Sequence, residues 1–253
     1  MRQLFASFLF LAILPACSKK SDNSCPATFK VTASNLTPTV GETVTLTASP
    51  ERWNYLWNGP LNFFENQTTG ANSVRLENIK INQAGWYTGS LMGTGCGVLI
   101  DSVYIDVKYK QGSPVCNLSD NQVSGSSVPD LQASTVRKSF DNTFNGVTLR
   151  AGGSFGYPTY SFIFNSFNGN SEPKDGMYVS GNVPVFDQFQ DANVVVGLCQ
   201  YGSYYFQTHA NQTVYVSHVN GKLRVSFCDL KYSGDNGNSV MVTSTFSGQL
   251  TEK

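Results

Sequence analysis

The residues that could do chemistry in this chain are few and lie far apart in the sequence. There are two histidines, His209 and His218, near adjacent ends of two predicted strands. Two facing imidazoles could work as acid and base near neutral pH, or form half of a metal site. No cysteine or carboxylate stands beside them at ligand spacing, so chance placement on a strand surface is the better interpretation.

A second candidate is the run Gly152-Gly153-Ser154-Phe155-Gly156, which fits the pattern G-x-S-x-G. In a nucleophile elbow this pattern follows a strand and opens a helix. The next residues, Tyr157-Pro158-Thr159-Tyr160, do not suit a helix, and the run is interpreted as a glycine-rich turn.

Four side chains whose oxygen atoms could bind calcium stand close together near the C-terminus: Asp229, Asp235, Asn236 and Asn238. The segment lacks the glutamate that closes an EF-hand loop, so a polar hairpin turn explains it more simply. Carboxylate pairs for glycoside hydrolysis stay open, because their members can be distant in sequence. We therefore predict no catalysis, no metal site and no cofactor apart from a covalent N-terminal lipid.

Exposed aromatic side chains are the remaining candidates for ligand contact. Phe63 and Phe64 fall in a predicted loop, and Tyr201, Tyr204 and Tyr205 fall in another. Aromatic faces also stack on sugar rings, for which Trp53 and Trp86 would join the two phenylalanines. Packing inside a small sandwich is the commoner use of such residues.

The composition is that of an all-β protein. Lys and Arg number 17, Asp and Glu also number 17, and the formal net charge is zero. No basic stripe is present, so nucleic acid is not a predicted partner. Thr, Ser, Asn, Gly, Val, Tyr and Phe dominate, and good helix formers are sparse.

The elements that would position these residues are short, evenly spaced strands. Within residues 25–108, apolar residues alternate with polar ones at Phe29 and Val31 and again along Val44-Thr45-Leu46-Thr47-Ala48. The same alternation recurs at Trp53, Tyr55 and Trp57. Alternation means that each strand buries one side, which is typical of a sandwich.

The motifs of this first domain resemble an immunoglobulin-like module of Bacteroidetes cell-surface proteins. The matching runs are Gly41-Glu42-Thr43-Val44-Thr45-Leu46, Tyr55-Leu56-Trp57-Asn58-Gly59-Pro60, Ala84-Gly85-Trp86-Tyr87 and Gly95-Cys96. The resemblance implies that Trp57 is the buried tryptophan and that Tyr87 forms a tyrosine corner. The usual pair of core cysteines is missing, and a bridge between Cys25 and Cys96 would substitute for it.

A boundary is predicted at residues 109–118, where Gly112 and Pro114 end the last strand. Residues 119–253 then form a second β domain, an antiparallel sandwich or a small barrel. Its clearest signal is Asn220-Gly221 between two alternating runs, which predicts a hairpin. In this domain Cys199 and Cys228 are the preferred disulfide pair, which leaves Cys116 over, although sequence does not fix the connectivity.

The N-terminus resembles the export signal of a bacterial lipoprotein. Arg2 precedes an apolar stretch that ends in Leu14-Pro15-Ala16-Cys17, the pattern of a lipobox. The resemblance implies that residues 1–16 are removed, that Cys17 carries acyl chains such as palmitate, and that residues 17–24 form a tether. Ser18 after the lipidated cysteine implies the outer membrane, and we favour the cell surface over the periplasmic face.

These observations predict a membrane-anchored lipoprotein of the cell envelope, held by its lipid, with a binding, adhesion or assembly role. Its partner would be a protein or a glycan at the cell surface. Two alternatives stay open: a glycan-binding accessory of a polysaccharide uptake system, and a hydrolase in the second domain.

Overall fold

The computed structural model of the chain describes residues 25–51, 53–67, 71–93, 97–141, 146–154, 156–165, 172–181, 194–235 and 240–253. Across these ranges the chain is all-β, and its one helical turn is a short 3-10 segment at Ile81–Gln83. None of the described helices has the length and apolar character to cross a membrane. The predicted signal, Cys17 and the tether lie outside these ranges, as does Cys96.

The first domain is a two-sheet sandwich. One sheet has the order β1-β2-β5 and the other the order β4-β3-β6-β7. Their bounds are β1 Lys30–Ala33, β2 Val44–Ser49, β3 Asn54–Gly59, β4 Phe63–Gln67, β5 Ser73–Leu76, β6 Gly85–Gly93 and β7 Gly97–Ile105. All of these pairs are antiparallel, as the immunoglobulin-like resemblance implies.

The core of this sandwich contains the residues that the motifs predict. Trp57 and Tyr87 are completely buried, and the Tyr87 hydroxyl donates a 2.9 Å hydrogen bond to the carbonyl oxygen of Gln83. This bond confirms the tyrosine corner. Two residues after Tyr87, Gly89 lies so close to its neighbours that a Cβ would come within 2.7 Å of Val31 Cγ2. Val31 and Trp57 therefore pack directly against the backbone at Gly89.

The second domain is built from eleven strands in one sheet. The bounds are β8 Gln122–Gly125, β9 Leu131–Gln132, β10 Thr135–Asp141, β11 Gly146–Gly152, β12 Thr159–Asn165, β13 Gly176–Ser180, β14 Val194–Tyr201, β15 Tyr204–Thr208, β16 Thr213–Val219, β17 Lys222–Asp235 and β18 Met241–Thr251. The order is β10-β11-β12-β14-β13-β16-β17-β18-β8-β9, and β15 pairs with both β14 and β17.

This sheet folds back on itself. Strands β14 and β17 are joined twice, once through β15 and once through β13 and β16. The amide of Lys253 also donates to the carbonyl of Val136, which brings the C-terminus against β10. The pairing is antiparallel except between β13 and β14, which are parallel over two residues. The buried residues of this sheet form one core, and the predicted all-β fold class is confirmed.

The Asn-Gly hairpin is confirmed in detail. Val219 pairs with Lys222 at the end of β16 and the start of β17. Between them Asn220 has φ +52° and Gly221 has φ +76°. Positive φ at both turn residues is what a type I′ turn requires, and asparagine and glycine tolerate it best.

The segment predicted as a linker begins inside the second core. The Tyr109 ring stacks on Tyr178 with centroids 4.9 Å apart, and its side chain is buried. The amide of Met177 donates a 2.7 Å bond to the carbonyl of Lys110, so the segment pairs with the edge of β13. Gly176 makes this possible, because a Cβ there would lie 2.4 Å from that of Tyr109.

The predicted pairing of Cys199 with Cys228 is wrong. Cys228 is bonded to Cys116, and Cys199 is a free, buried thiol. The reason is strand geometry: Phe227 points into the core, so its neighbour Cys228 points to the opposite face. Cys199 faces inward from β14 and cannot meet it. Cys25 is disulfide-bonded, whereas its predicted partner Cys96 lies outside the described ranges.

Candidate functional site

Several exposed apolar side chains of the first domain lie together on the outer side of the sheet β4-β3-β6-β7, which we call the aromatic face. Its exposed large side chains are Phe64, Trp86, Val98, Ile100 and Tyr104, which are between 47% and 63% accessible. Strand alternation places them there: Leu99, Val103 and Ile105 on β7 point towards the core, and the residues between them point out.

Trp86 and Tyr104 lie together at one end of the aromatic face. They stand directly opposite each other on β6 and β7, with ring centroids 5.3 Å apart in an edge-on arrangement. Trp86 is 63% exposed although tryptophan is usually well covered. A large exposed aromatic pair of this kind is typical of a surface that another molecule covers.

A polar row crosses the middle of the aromatic face. Across the four strands the register pairs one residue with the next in the order Phe64, Asn58, Thr88 and Ser102. The last three of these residues are polar. The hydroxyls of Thr88 and Ser102 are hydrogen-bonded at 2.9 Å. Apolar side chains thus flank a strip of hydrogen-bonding groups, which supplies both contact area and orientation for a partner.

The prediction that Phe63 and Phe64 lie in a loop is wrong, because both belong to the edge strand β4. The turn is confined to Leu61 and Asn62, which have φ of +55° and +59°. Phe63 points inward and packs edge-on against Tyr87 at 5.6 Å. Phe64 points outward and is 60% exposed, so only one of the pair is available for contact.

The predicted tyrosine cluster also lies on strands, at the hairpin between β14 and β15. Tyr201 is half-buried against the second core and stacks on Tyr204, which stacks in turn on the buried Phe206. Tyr205 faces the opposite side and is 50% exposed. Of the three, Tyr205 is the most available to a ligand.

Sequence reasoning found part of the aromatic face and missed the rest. Trp86 and Phe64 were among the predicted stacking residues, whereas Trp53 is half-buried against the core. Val98, Ile100 and Tyr104 were not predicted. Their signal is the alternation along residues 98–104, which carries large apolar side chains on the side that faces away from Leu99 and Val103.

The two histidines are not brought together. His209 lies in the connection before β16, whereas His218 lies near the far end of that strand. The stretch from Thr213 to His218 alone is about 16 Å long at the usual rise per residue. His209 is hydrogen-bonded through Nε2 to the hydroxyl of Ser233. His218 contacts Asp175 through Nδ1 at 2.6 Å. Within the described part of the chain, no group of three His, Cys, Asp or Glu side chains is placed to hold a metal ion.

The other candidate motifs have structural roles. Ser154 lies in a turn between β11 and β12, where the Gly156 amide donates a 3.0 Å bond to the Gly153 carbonyl, and a strand follows rather than a helix. Asp229 and Asp235 are about 20 Å apart along β17, too far to share a calcium ion. Asn236 and Asn238 lie outside the described residues.

Among the cysteines that the structure describes, the free thiol is that of Cys199, in the second core. Desolvation raises the pKa of Cys199 to about 12, although the facing Tyr160 hydroxyl lowers it somewhat. Burial likewise raises the pKa of Tyr160 and of Tyr232 well above the ordinary range. A thiol of this kind stays protonated and unreactive near neutral pH.

Comparisons with known proteins give structural neighbours and no family. No family model and no curated protein matches the chain. Among solved structures, it is similar to the Ig1 domain of mouse SynCAM 2, with 18% identity over 30% of this chain and 93% of that one and a TM-score of 0.25. It is also similar to the human OSCAR ligand-binding domain, with 15% identity over 87% and 96% of the two chains and a TM-score of 0.26.

Proposed function

We propose that the chain is a lipid-anchored protein of the bacterial outer membrane whose first domain binds a macromolecular partner through the aromatic face, without catalysing a reaction. The observation that carries this proposal is the exposed pair Trp86 and Tyr104 in a row of outward apolar side chains. Covering such side chains is favourable by about 25 cal/mol for each Å² of apolar surface removed from water.

The absence of a reaction centre among the described residues agrees with a binding role. His209 precedes β16 and His218 lies near its far end, and the G-x-S-x-G serine lies in a turn. The lipobox Leu14-Pro15-Ala16-Cys17 supports anchoring, because two or three acyl chains on one cysteine hold a protein at a membrane stably.

The binding role is tested with the double variant Trp86→Ala, Tyr104→Ala. Wild-type chain and variant are immobilised and exposed to outer-membrane extract, and retained proteins and glycans are compared. We expect the variant to lose the retained partner, with a melting temperature close to that of the wild type, because both side chains are on the surface.

Leu36→Ala is the matched control, since Leu36 is a 50% exposed apolar residue of the same domain that lies outside the four strands of the aromatic face. It should keep the partner. Equal retention by wild type and double variant would remove the aromatic face from the proposal, and equal loss in the control would show non-specific adsorption.

The anchoring is tested separately by growing cells with labelled palmitate. The wild-type chain should take up the label, and Cys17→Ser should not. An unlabelled wild-type chain would refute the lipid anchor and leave the binding test unaffected.

A further inference from the structure

Two unpaired arginines stand side by side on the second domain. Arg137 on β10 and Arg150 on β11 are directly opposite each other in the register, and both are exposed. Like charges in this position repel and destabilise a sheet. Neither guanidinium forms an ion pair with another described residue. An anion bound between them would remove the repulsion.

A depression lies directly beside the two arginines. Two residues further along each strand, on the same side of the sheet, Gly152 stands between its partners Thr135 and Thr159. A Cβ on Gly152 would make ordinary van der Waals contacts at 3.7 Å with Thr135 Oγ1 and Thr159 Cγ2, so the missing side chain leaves a depression between the two threonines. The turn residues Gly153 and Gly156 complete a pocket of about 330 Å³.

The chemistry of this pocket fits an oxyanion. Guanidinium groups bind carboxylate, sulfate and phosphate through paired hydrogen bonds. The threonine hydroxyls can donate hydrogen bonds to the same anion or to the groups of the ligand next to it. Ser161, opposite Arg150 on β12, places a further hydroxyl in the row of the arginines, next to the pocket lining. We propose that this pocket, the arginine pocket, binds the charged group of an acidic polysaccharide.

Two observations favour a saccharide over an anionic membrane surface. Membrane binding through basic residues uses clusters of about four to eight lysines and arginines, and this pocket has two. Tyr157, between the lining residues Gly156 and Thr159, is 50% exposed, and an exposed aromatic ring suits the apolar face of a sugar. This site lies on the second domain, and it does not depend on the aromatic face.

The experiment measures binding of the purified full-length chain to dextran sulfate, with uncharged dextran as the matched polymer. We expect binding to dextran sulfate alone, weakened by added salt and by inorganic sulfate. Arg137→Gln and Arg150→Gln should each weaken it about tenfold, because each removes a charge-assisted hydrogen-bonding group. Gly152→Val should also weaken it, since the new side chain fills the pocket without changing any charge.

Arg75→Gln is the control for charge, because Arg75 is an exposed arginine on the first domain. It should bind dextran sulfate as the wild type does. Arg150→Gln should melt no lower than the wild type without ligand, since it relieves the repulsion, and this separates lost binding from lost folding.

Several results would overturn the proposal. They are failure of the wild type to bind dextran sulfate, equal weakening by Arg75→Gln, and full binding by Gly152→Val. Binding to vesicles of phosphatidylglycerol without binding to dextran sulfate would replace the saccharide with a membrane surface and would equally refute the proposal as stated.

Discussion

Two buried tyrosines, Tyr87 in the first domain and Tyr232 in the second, differ in whether the hydroxyl finds a hydrogen-bond partner. In the first domain the Tyr87 hydroxyl reaches a backbone carbonyl at 2.9 Å, so the ring is buried and the polar atom is satisfied. In the second domain the Tyr232 hydroxyl is buried with no hydrogen-bond partner among the described residues. Tyr160 nearby faces the thiol of Cys199, a weak acceptor. The Tyr87 hydroxyl therefore stabilises its core, whereas the Tyr232 hydroxyl costs free energy. Tyr178 in the second domain behaves like Tyr87, since its hydroxyl donates a 3.1 Å bond to the Lys174 carbonyl.

The difference comes from where the partners lie in the sequence. The Tyr87 hydroxyl bonds to a residue four positions earlier, at the 3-10 turn before β6, so a short motif contains both groups. The Tyr232 hydroxyl is enclosed by strands that are distant in sequence, and a Cβ on Gly197 would come within 2.5 Å of it. A short sequence motif can contain both partners of a hydrogen bond. Side chains that meet from distant strands are fitted together mainly by their shapes.

The largest effect is expected from removing Trp57, the centre of the first core. Trp57→Ala should lower the free energy of unfolding by about 3–5 kcal/mol, because a fully buried large side chain is lost. Denaturant unfolding followed by circular dichroism would measure it, with Trp57→Phe as a milder control. A loss below that of Trp57→Phe would contradict the assignment of Trp57 to the core.

Replacing Tyr87 or Tyr232 by phenylalanine should change the free energy of unfolding in different directions. Tyr87→Phe should cost about 1 kcal/mol, because the Gln83 carbonyl loses its donor. Tyr232→Phe should be neutral or stabilising, since it removes a buried hydroxyl without a partner. Unfolding midpoints of the two variants give the comparison directly. Equal destabilisation by both would show that the Tyr232 hydroxyl is satisfied in solution.

Ionisation of the Cys199 thiol is expected to have the smallest effect on the free energy of unfolding near neutral pH. Its folded pKa of about 12 exceeds its ordinary value of 9.0, so the neutral thiol is the form that the folded state favours. The stabilisation is complete below about pH 9 and is lost as the pH rises towards 12, because the unfolded chain then ionises first. The raised pKa values of Tyr160 and Tyr232 act in the same direction.

This dependence is measured by unfolding the chain at a series of alkaline pH values, with Cys199→Ala as the comparison. The variant should lose less stability between pH 9 and pH 12 than the wild type. Iodoacetamide should leave the native thiol unmodified at neutral pH. Rapid modification of the folded chain would show that Cys199 is accessible.

Features encoded in a few neighbouring residues could be predicted from the sequence. The Asn220-Gly221 hairpin and the tyrosine corner at Tyr87 are examples, because turn chemistry and a short motif determine them. The all-β class follows from composition and alternation. In each case the interacting residues are close together in the chain.

Features that depend on distant residues were missed or wrong. Cys116 and Cys228 are separated by 112 positions, and only the strand order shows that they meet. The aromatic face needs β4, β3, β6 and β7 to lie side by side before Phe64 and Tyr104 become part of one surface. The opposed arginines Arg137 and Arg150 likewise required the register of β10 against β11.

The docking of Tyr109 has a mechanical consequence. Lys108 is bridged to Thr39 in the first domain, and Lys110 is hydrogen-bonded to Met177 in the second, so one residue separates the two attachments. There is no slack backbone at this junction to stretch. A force applied to one domain should therefore be transmitted directly to the other, and the two domains should reorient together.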